Sequence, residues 1–282
     1  MGVLHLSSLF LLSLLRPGLS HVVDMFQKNC EMFFLNGKTP NIPRILKRYT
    51  PICQFYHNAY RFATLYDTTN RIPVFSAYKF TGDAGTGNNI DETWKIEPQL
   101  EDDNASKSMA DESQGVRYRR QATNQDYINA NGVNRGHLFP SMHAYDVEAK
   151  ESTYTLTNIV PQVVSFNGKS WNDMETNVKN IMTQSCNGNN NIKAYVVTGA
   201  VPSDNPVEKL NNRVNIPSSM WTAYCCENPP NQWHSGAHWG ENKKKGKNGT
   251  TVPLSVAELN NKLTEIYKRG KVQVFPKETK CL

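Results

Sequence analysis

The chain has 282 residues, of which 38% are hydrophobic and 20% charged, and its formal net charge is +6 at pH 7. These proportions exclude an intrinsically disordered chain, and the length allows one large domain or two small ones. The positive excess is compatible with a polyanionic partner but is too small to identify one.

The N-terminus has the pattern of a secretory signal peptide. An apolar run from Leu4 to Leu15 precedes Gly18 and Ser20, which stand at the small-residue spacing that signal peptidase requires. The run is too short to span a bilayer, and no later apolar segment of the sequence is long enough for a membrane helix. We therefore expect residues 1–20 to be removed and the protein to be secreted without a membrane span. Residues 21–282 are expected to form a single domain with an N-terminal extension.

Cysteines and glycosylation sequons agree with secretion. The six cysteines all follow the leader, and in an oxidising compartment they would pair, with the connectivity left open. The neighbours Cys225 and Cys226 are expected to bond to different partners, and no pair has the Cys-x-x-Cys spacing of a zinc knuckle. The sequons at Asn104 and Asn248 lie in polar stretches that we expect to be exposed.

Strand patterns dominate the chain between these features. Tyr60–Asp67 and Arg71–Phe80 are β-rich runs around a turn, whereas the acidic segment 101–116 is expected to be an exposed loop. The continuous apolar run Ile192–Val201 predicts a central strand, and Asn215–Cys226 predicts another.

Two helices are predicted. Ser255 and Glu258 form a Ser-x-x-Glu capping box before an apolar periodic segment that Gly270 closes. The other helix is predicted from about Asn167 to Met182. Its apolar face consists of Trp171, Met174, Val178, Ile181 and Met182. Strands with a few helices and no regular βαβ alternation predict an α+β fold, with a mixed or antiparallel central sheet and flanking helices.

A spaced set of polar residues indicates the chemistry. The set comprises Arg135, His137, Asn158, Asn167 and Glu175. On an α-helix, a step of eight residues advances about 80° beyond two full turns, so Asn167 and Glu175 would face one region. A carboxamide oxygen near a carboxylate suits Mg²⁺, which keeps most of its waters and needs few protein ligands.

With such a cation, the set would hydrolyse a phosphodiester. His137, neutral near pH 7, would take the proton of the attacking water, and a positioned base typically contributes about 10²–10⁴-fold. The cation held by Asn167 would polarise the phosphate and stabilise the leaving 3′ oxygen. Arg135 would neutralise charge on the non-bridging oxygens, and Glu175 would orient cation-bound water.

The surrounding motifs resemble a known family. NRGH (134–137), TNIVPQ (157–162), FNGKSW (166–171) and DME (173–175) look like the motifs of the DNA/RNA non-specific endonucleases of the ββα-metal, or His-Me finger, class. Segments 53–80 and 94–100 extend the resemblance over most of the chain after the leader, to a vertebrate subgroup of that family.

The resemblance implies a ββα-metal finger with His137 on a strand and Asn167 at the start of the crossing helix. It implies His137 as general base, Asn167 as the direct ligand of Mg²⁺ and Glu175 as its partner through water. Arg135 is then a phosphate contact and Asn158 a residue that shapes the site.

The implied activity is metal-dependent hydrolysis of DNA and RNA with little sequence preference. The products would carry 5′-phosphate ends, and Mn²⁺ would substitute for Mg²⁺.

Two positions depart from the family pattern. Asn134 stands where the family usually has aspartate, and Glu92 and Thr93 precede Trp94 where some members have an arginine. Because both departures could weaken catalysis, the alternative is a catalytically weak or inactive extracellular relative that keeps the fold and binds nucleic acid or protein.

Two further segments carry weaker hypotheses. His234 and His238 have the spacing of a helical zinc pair and would define a zinc-binding interaction module, but their glycine-rich surroundings favour an aromatic loop. The basic segment 242–249 is expected to be a solvated loop, with phosphate contacts as the alternative.

Overall fold

The computed structural model describes residues 22–26, 29–43, 48–82, 90–188, 191–228, 232–243, 251–276 and 280–281. The leader predicted over residues 1–20, the sequon at Asn248 and most of the basic segment 242–249 lie outside this range.

The described residues form strands, three α-helices and several short helical turns. The strands are β1 (Tyr49–Tyr56), β2 (Ala59–Asp67), β3 (Ile72–Phe80), β4 (Val133–His137), β5 (Ile159–Val163), β6 (Asn187–Gly188), β7 (Asn191–Ile192), β8 (Ala194–Val201), β9 (Lys209–Leu210), β10 (Val214–Asn215), β11 (Ser219–Asn228), β12 (Gln232–Glu241) and β13 (Val252–Leu254). The α-helices are α1 (Val147–Ser152), α2 (Asn172–Ser185) and α3 (Val256–Tyr267). Turns of 3₁₀ helix lie at Glu31–Phe33, Leu35–Gly37, Pro98–Leu100, Asn124–Tyr127, Ser141–His143 and Leu156–Asn158.

A seven-stranded antiparallel sheet forms the centre of the fold. Its strand order is β1-β2-β3-β8-β11-β12-β13, and every neighbouring pair is antiparallel. With few helices beside this sheet, the predicted α+β class is confirmed. The strand predicted over Asn215–Cys226 is β11, which begins at Ser219, and the two β-rich runs around a turn are β2 and β3.

The predicted central strand is confirmed, but it begins later than expected. β8 is the fourth of the seven strands, whereas Ile192 belongs to the small β6–β7 pair. The backbone N–H of Lys193 donates to Cys186 O, so the chain joins the central sheet only at Ala194.

Both faces of the sheet are covered, which explains the nearly continuous apolar runs of its inner strands. Alternate residues enter different hydrophobic clusters. Ala77 and its cross-strand partner Val197 belong to the cluster that contains the buried residues of α3. Tyr78 and its partner Val196 belong to the cluster on the opposite face.

A ββα finger packs on that opposite face. β4 and β5 pair antiparallel, with Arg135 opposite Pro161 and His137 opposite Ile159. A helical turn and α2 follow β5 in the chain. Of the five apolar residues predicted for this helix, Ile181 packs against the cluster that contains Tyr78, and the other four are buried in it, namely Trp171, Met174, Val178 and Met182.

The helix of the finger differs from the prediction at its start. Phe166–Trp171, which includes Asn167, forms a π-helical turn, and α2 proper begins at Asn172 and ends at Ser185. The angular step of about 80° between Asn167 and Glu175 is therefore wrong, because π-helical residues bond from i to i+5 and rotate less per residue.

The C-terminal helix has the predicted start. Ser255 accepts from the backbone N–H of Glu258, and Glu258 accepts from the backbone N–H of Ser255, which completes the capping box. The end differs: Lys268 takes the left-handed C-terminal position with φ of 50°, two residues before Gly270.

Three disulfides join Cys30 to Cys53, Cys186 to Cys226 and Cys225 to Cys281. The prediction that Cys225 and Cys226 bond to different partners is confirmed. Adjacent residues of β11 point to opposite faces of the sheet, so Cys225 lies in the cluster of α3 and Cys226 in the cluster of the finger. Within the described ranges, no helix is long and apolar enough to cross a membrane.

The predicted loop 101–116 is largely exposed, including Asn104 of the first sequon. Two of its residues depart from that prediction. Met109 is buried, and Ala110 forms an isolated antiparallel bridge with Ile96.

The expected loop around His234 and His238 is instead strand β12, paired with β11 over its whole length. The glycines of this segment do not interrupt the strand. Gly236 instead leaves the space that the ring of Tyr224 occupies. Residues four apart on a strand are separated by about 13 Å, which is too far for two ligands of one ion. The zinc-module hypothesis was therefore wrong. The described residues contain no group of three or more His, Cys, Asp or Glu that could hold a metal ion.

Candidate active site

His137 lies at the end of β4 between two aromatic rings. Its ring centroid is 5.2 Å from that of Trp94 and 5.1 Å from that of Tyr154. The side chain is half-buried, and its Nε2 is covered without a hydrogen-bond partner among the described residues. Burial lowers the pKa of His137 from 6.5 to about 4. The imidazole is therefore neutral near pH 7 and can accept a proton.

Arg135 lies two residues before His137, on the same face of β4. Its guanidinium stacks between the rings of Trp94 and Tyr127, at 5.4 and 5.0 Å from their centroids. Its Nη2 donates to Asn124 Oδ1 at 3.1 Å, and no carboxylate of the described residues forms an ion pair with it. Burial lowers the pKa of Arg135, yet it remains far above neutral pH.

This arrangement gives a half-buried cation that the aromatic rings hold in one place. A cation–π contact orients a guanidinium without neutralising it, so Arg135 keeps its full charge for an anion. Its shared contact with Trp94 brings Arg135 and His137 to one side of the finger.

Gly136 separates these two residues for a steric reason. A Cβ at this position would lie 2.0 Å from Oε1 of Gln162, a buried residue of β5. The side chain of Gln162 therefore occupies the space that any larger residue at position 136 would need.

Asn158 is fully buried and all its hydrogen bonds are internal. Its Oδ1 accepts from the Ser76 hydroxyl at 2.8 Å and from the Phe139 N–H at 3.0 Å. Its Nδ2 donates to the carbonyls of Phe139 and Thr153, at 3.0 and 3.1 Å. Asn158 thus connects the segment that follows His137 to strand β3. This geometry favours the site-shaping role over direct contact with a substrate.

Asn167 contacts the finger's first strand. Its Nδ2 donates to Asn134 Oδ1 at 2.8 Å, which joins the π-helical turn to β4. No described residue donates to Oδ1 of Asn167, so this oxygen is available as a ligand. Asn134 and His137 are three positions apart on an extended strand, so their backbones are about 10 Å apart.

Glu175 lies at the start of α2, next to the buried side of the helix. Desolvation raises its pKa from 4.5 to about 8, and the nearby Trp171 indole opposes this shift. The same cluster contains a buried histidine: His143 Nε2 bonds to the backbone carbonyl of Glu175 at 3.0 Å, and Nδ1 to Tyr78 Oη at 2.8 Å. A cavity of about 10 Å³, the size of one water molecule, lies beside these groups.

The structure therefore brings the predicted residues together in two groups. Arg135 and His137 share the Trp94 ring, and Asn134 contacts Asn167. Glu175 is tied to the sheet through its backbone, and no hydrogen bond or ion pair between described residues joins it to His137 or Asn167.

Several residues of the site were not identified from the sequence, namely Tyr127, Asn124, Tyr154, His143 and Tyr78. A short-range signal existed only for His143, which lies in the same segment as His137. Glu92, which is expected from the sequence to depart from the family pattern, accepts a hydrogen bond from the Tyr154 hydroxyl at 2.9 Å.

The residues present fit a hard divalent cation. The side-chain amide of Asn167 offers a neutral oxygen, because its nitrogen already donates to Asn134. The carboxylate of Glu175 follows eight residues later in the sequence. A sparse oxygen set of this kind suits a small ion that retains its own waters, and excludes a closed zinc centre with four protein ligands.

Comparison with known proteins identifies the same family. The model of the DNA/RNA non-specific endonuclease family matches residues 46–272. The human Endonuclease domain-containing 1 protein is 33% identical over 213 residues, covering 73% of this chain and 40% of that protein. The mouse protein of the same name is 32% identical over 213 residues, with the same coverage. The chain thus spans about two fifths of the length of these curated relatives.

A solved structure has a similar fold. A chain of the EndoG/EndoGI complex superimposes with a TM-score of 0.54 over 76% of this chain and 84% of its own length, at 17% identity. Since the family model covers most of the sequence and the finger carries its motifs, this chain belongs to the DNA/RNA non-specific endonuclease family.

Proposed function

We propose that this protein is a secreted endonuclease that hydrolyses phosphodiester bonds of DNA and RNA with the help of a divalent cation, Mg²⁺ or Mn²⁺. The observation that carries the proposal is the pair formed by Arg135 and His137. A cation without a carboxylate partner and a neutral base without a hydrogen-bond partner share one face of β4.

Each residue of the pair has a role that its surroundings support. Arg135 binds the phosphate and neutralises charge that develops on its non-bridging oxygens. His137 removes a proton from the attacking water, because burial keeps its nitrogen lone pair free at neutral pH. The product ends are a 5′-phosphate and a 3′-hydroxyl.

The remaining residues support the cation and the frame. Asn167 holds the ion through Oδ1, and Glu175 contacts it through water. When bound, the ion supplies polarisation of the phosphate and stabilisation of the leaving oxygen. Asn158 keeps the chain after His137 in place.

Secretion is supported by the leader pattern of the sequence and by three disulfides in the described part of the chain. Disulfides persist in oxidising compartments and are rare in the cytosol. Expression of the full chain in cultured cells tests this, and recovery of the protein only inside the cells would contradict it.

One observation favours the alternative of a protein that binds without cleaving. Glu175, with a pKa raised to about 8, is largely protonated at neutral pH in the absence of a cation. In that form it accepts hydrogen bonds from cation-bound water less well than a carboxylate does.

A cleavage assay distinguishes the two functions. Residues 21–282 are incubated with supercoiled plasmid and with RNA, in Mg²⁺ or in chelator, beside His137→Ala. The matched control is His234→Ala, a histidine on β12 that lies outside the finger. We expect cleavage in Mg²⁺, at least about 10²-fold slower cleavage by His137→Ala, and unchanged cleavage by His234→Ala.

Intact substrate under every metal condition, with salt-sensitive binding retained, would identify the binding protein instead. Ligation of the products without prior phosphorylation tests for 5′-phosphate ends.

A further inference from the structure

The hydrogen bond between Asn134 and Asn167 joins two side chains of identical chemistry. Asn134 is exposed on β4 and Asn167 is half-buried in the π-helical turn, with 2.8 Å between Oδ1 of Asn134 and Nδ2 of Asn167. Neither the amide nitrogen of Asn134 nor the amide oxygen of Asn167 has another hydrogen-bond partner among the described residues.

A carboxamide pair of this kind can form its hydrogen bond in two ways. In one, Asn167 donates and its Oδ1 is free to bind a cation. In the other, both amides are turned over, Asn134 donates to Oδ1 of Asn167, and an N–H of Asn167 faces the site. Both arrangements make one hydrogen bond, and no described neighbour of either amide favours the first.

An amide at position 134 also leaves Asn167 a weaker ligand. A carboxylate can only accept, so it would hold the Asn167 amide with Nδ2 inward and Oδ1 outward. It would also draw positive character to the N–H and electron density to the oxygen. Groups that hold metal ligands in this way change metal affinity by about 10- to 100-fold.

We propose that Asn134 is a positioning residue that keeps the cation affinity of Asn167 low, and that a carboxylate at this position raises it. The inference rests on the proposed function, in which Asn167 is the cation ligand. Asn134 acts through Asn167 and touches neither the cation nor the substrate.

Mn²⁺ binding without nucleic acid tests this inference. Free Mn²⁺ is followed by electron paramagnetic resonance during titration of residues 21–282 and of Asn134→Asp. We expect the Asn134→Asp variant to bind Mn²⁺ at least about tenfold more tightly than the parent. Because a gain in affinity requires a folded site, failure to fold cannot imitate it.

Two further variants separate orientation from charge. Asn172→Asp adds the same charge to an exposed residue at the start of α2, whose side chain makes no hydrogen bond with the described residues. It is expected to change the affinity by less than about threefold, because exposed charges are screened. Asn134→Asp/Asn167→Ala should lose the gain.

The outcomes distinguish the inference from the function beneath it. Equal gains for Asn134→Asp and Asn172→Asp would overturn the positioning role while leaving Asn167 as the ligand. Retention of the full gain in Asn134→Asp/Asn167→Ala would show that Asn167 is not the ligand, and both proposals would fail.

Discussion

His137 and His143 lie in one short segment, and burial keeps both neutral near pH 7, but their hydrogen bonds differ. His143 bonds through both ring nitrogens: the carbonyl of Glu175 can only accept, so Nε2 carries the proton and Nδ1 accepts from the Tyr78 hydroxyl. No described residue hydrogen-bonds to Nε2 of His137, whose neutrality follows from burial between aromatic rings. Of the two histidines, only His143 therefore has both ring nitrogens engaged in internal hydrogen bonds, which fits the proposed role of His137 as the base.

The lowered pKa of His143 predicts a specific loss of stability in acid. Burial lowers this pKa from 6.5 to about 4. Between these two pH values, His143 is protonated in the unfolded chain but not in the folded chain. Stability contributed by the neutral form is fully present above pH 6.5 and is lost as the pH falls towards 4, by about 3 kcal/mol for a fully buried imidazole.

Urea denaturation between pH 4 and 7 measures this loss. His143→Asn should be less stable than the parent at pH 7, because it loses the bond to Tyr78 or to Glu175. Its stability should also fall less steeply in acid. The raised pKa of Glu175 has the opposite effect, because it makes the folded protein more stable as the pH falls. This effect is present in the parent and in the variant, so the difference between their two stability curves reports His143. Parallel curves would contradict this assignment.

At the scale of the elements, the finger is held by contacts that cross from strand to turn to helix. Asn158 fixes the chain after β4 to β3, Asn134 joins β4 to the π-helical turn, and His143 joins the segment after β4 to α2. A π-helical turn inside a longer helix often marks a functional site, and here it carries Asn167.

The aromatic stack around Arg135 is expected to contribute to nucleic-acid binding. Tyr127→Leu removes one ring face, and since cation–π contacts contribute about 0.5–2 kcal/mol, affinity for DNA should fall about twofold to thirtyfold. Tyr127→Phe is the matched control, because it keeps the ring and removes a hydroxyl that has no partner among the described residues.

Fluorescence anisotropy of labelled duplex in chelator measures the affinities, and thermal denaturation checks that each variant folds. Equal affinities for the Leu and Phe variants would mean that the ring does not position Arg135.

Sequence patterns predicted those parts of the fold that depend on local chemistry. The capping box of α3 and the central strand β8 follow from short-range preferences, and both are present. The π-helical turn was not predictable, because its residues have the apolar spacing of an ordinary helix. The glycines of β12 predict a loop, but in the structure they make room for aromatic rings of neighbouring elements.

The site was predictable only where its residues are close in sequence or fit a family motif. Arg135 and His137 are such residues. The positions of Trp94 and Tyr127 against Arg135 depend on long-range packing that no local spacing shows. The orientation of Glu175 depends on the sheet beneath α2.

At the scale of the whole molecule, disulfides attach two different layers to one strand. Cys226 of β11 holds Cys186, the residue that ends α2, and so fixes the far end of the finger. Cys225 holds Cys281 and fixes the C-terminal segment on the other face.

The two bonds should therefore have separable effects. Each removal is expected to cost about 2–5 kcal/mol of stability. Cys186→Ala/Cys226→Ala should also increase hydrogen exchange in α2 and weaken Mn²⁺ binding, because α2 carries Glu175. Cys225→Ala/Cys281→Ala should leave both unchanged at temperatures where the protein remains folded. Hydrogen–deuterium exchange with mass spectrometry and the Mn²⁺ titration measure the two effects, and identical exchange in α2 for both pairs would contradict the separation.

The adjacency of Cys225 and Cys226 also constrains the order of assembly. A one-residue exchange of partners would bond Cys186 to Cys225 and Cys281 to Cys226, which would pull each segment towards the wrong face of β11. Free in an unfolded chain, the two thiols are nearly equivalent in reach and reactivity. Only the pleat of strand β11 distinguishes the two thiols. Once β11 pairs with β8, adjacent side chains point to opposite faces of the sheet, so each sulfur lies on a different face. Correct oxidation therefore requires the centre of the sheet to form before its cysteines close, and a thiol–disulfide isomerase would be needed to rescue chains that oxidise too early.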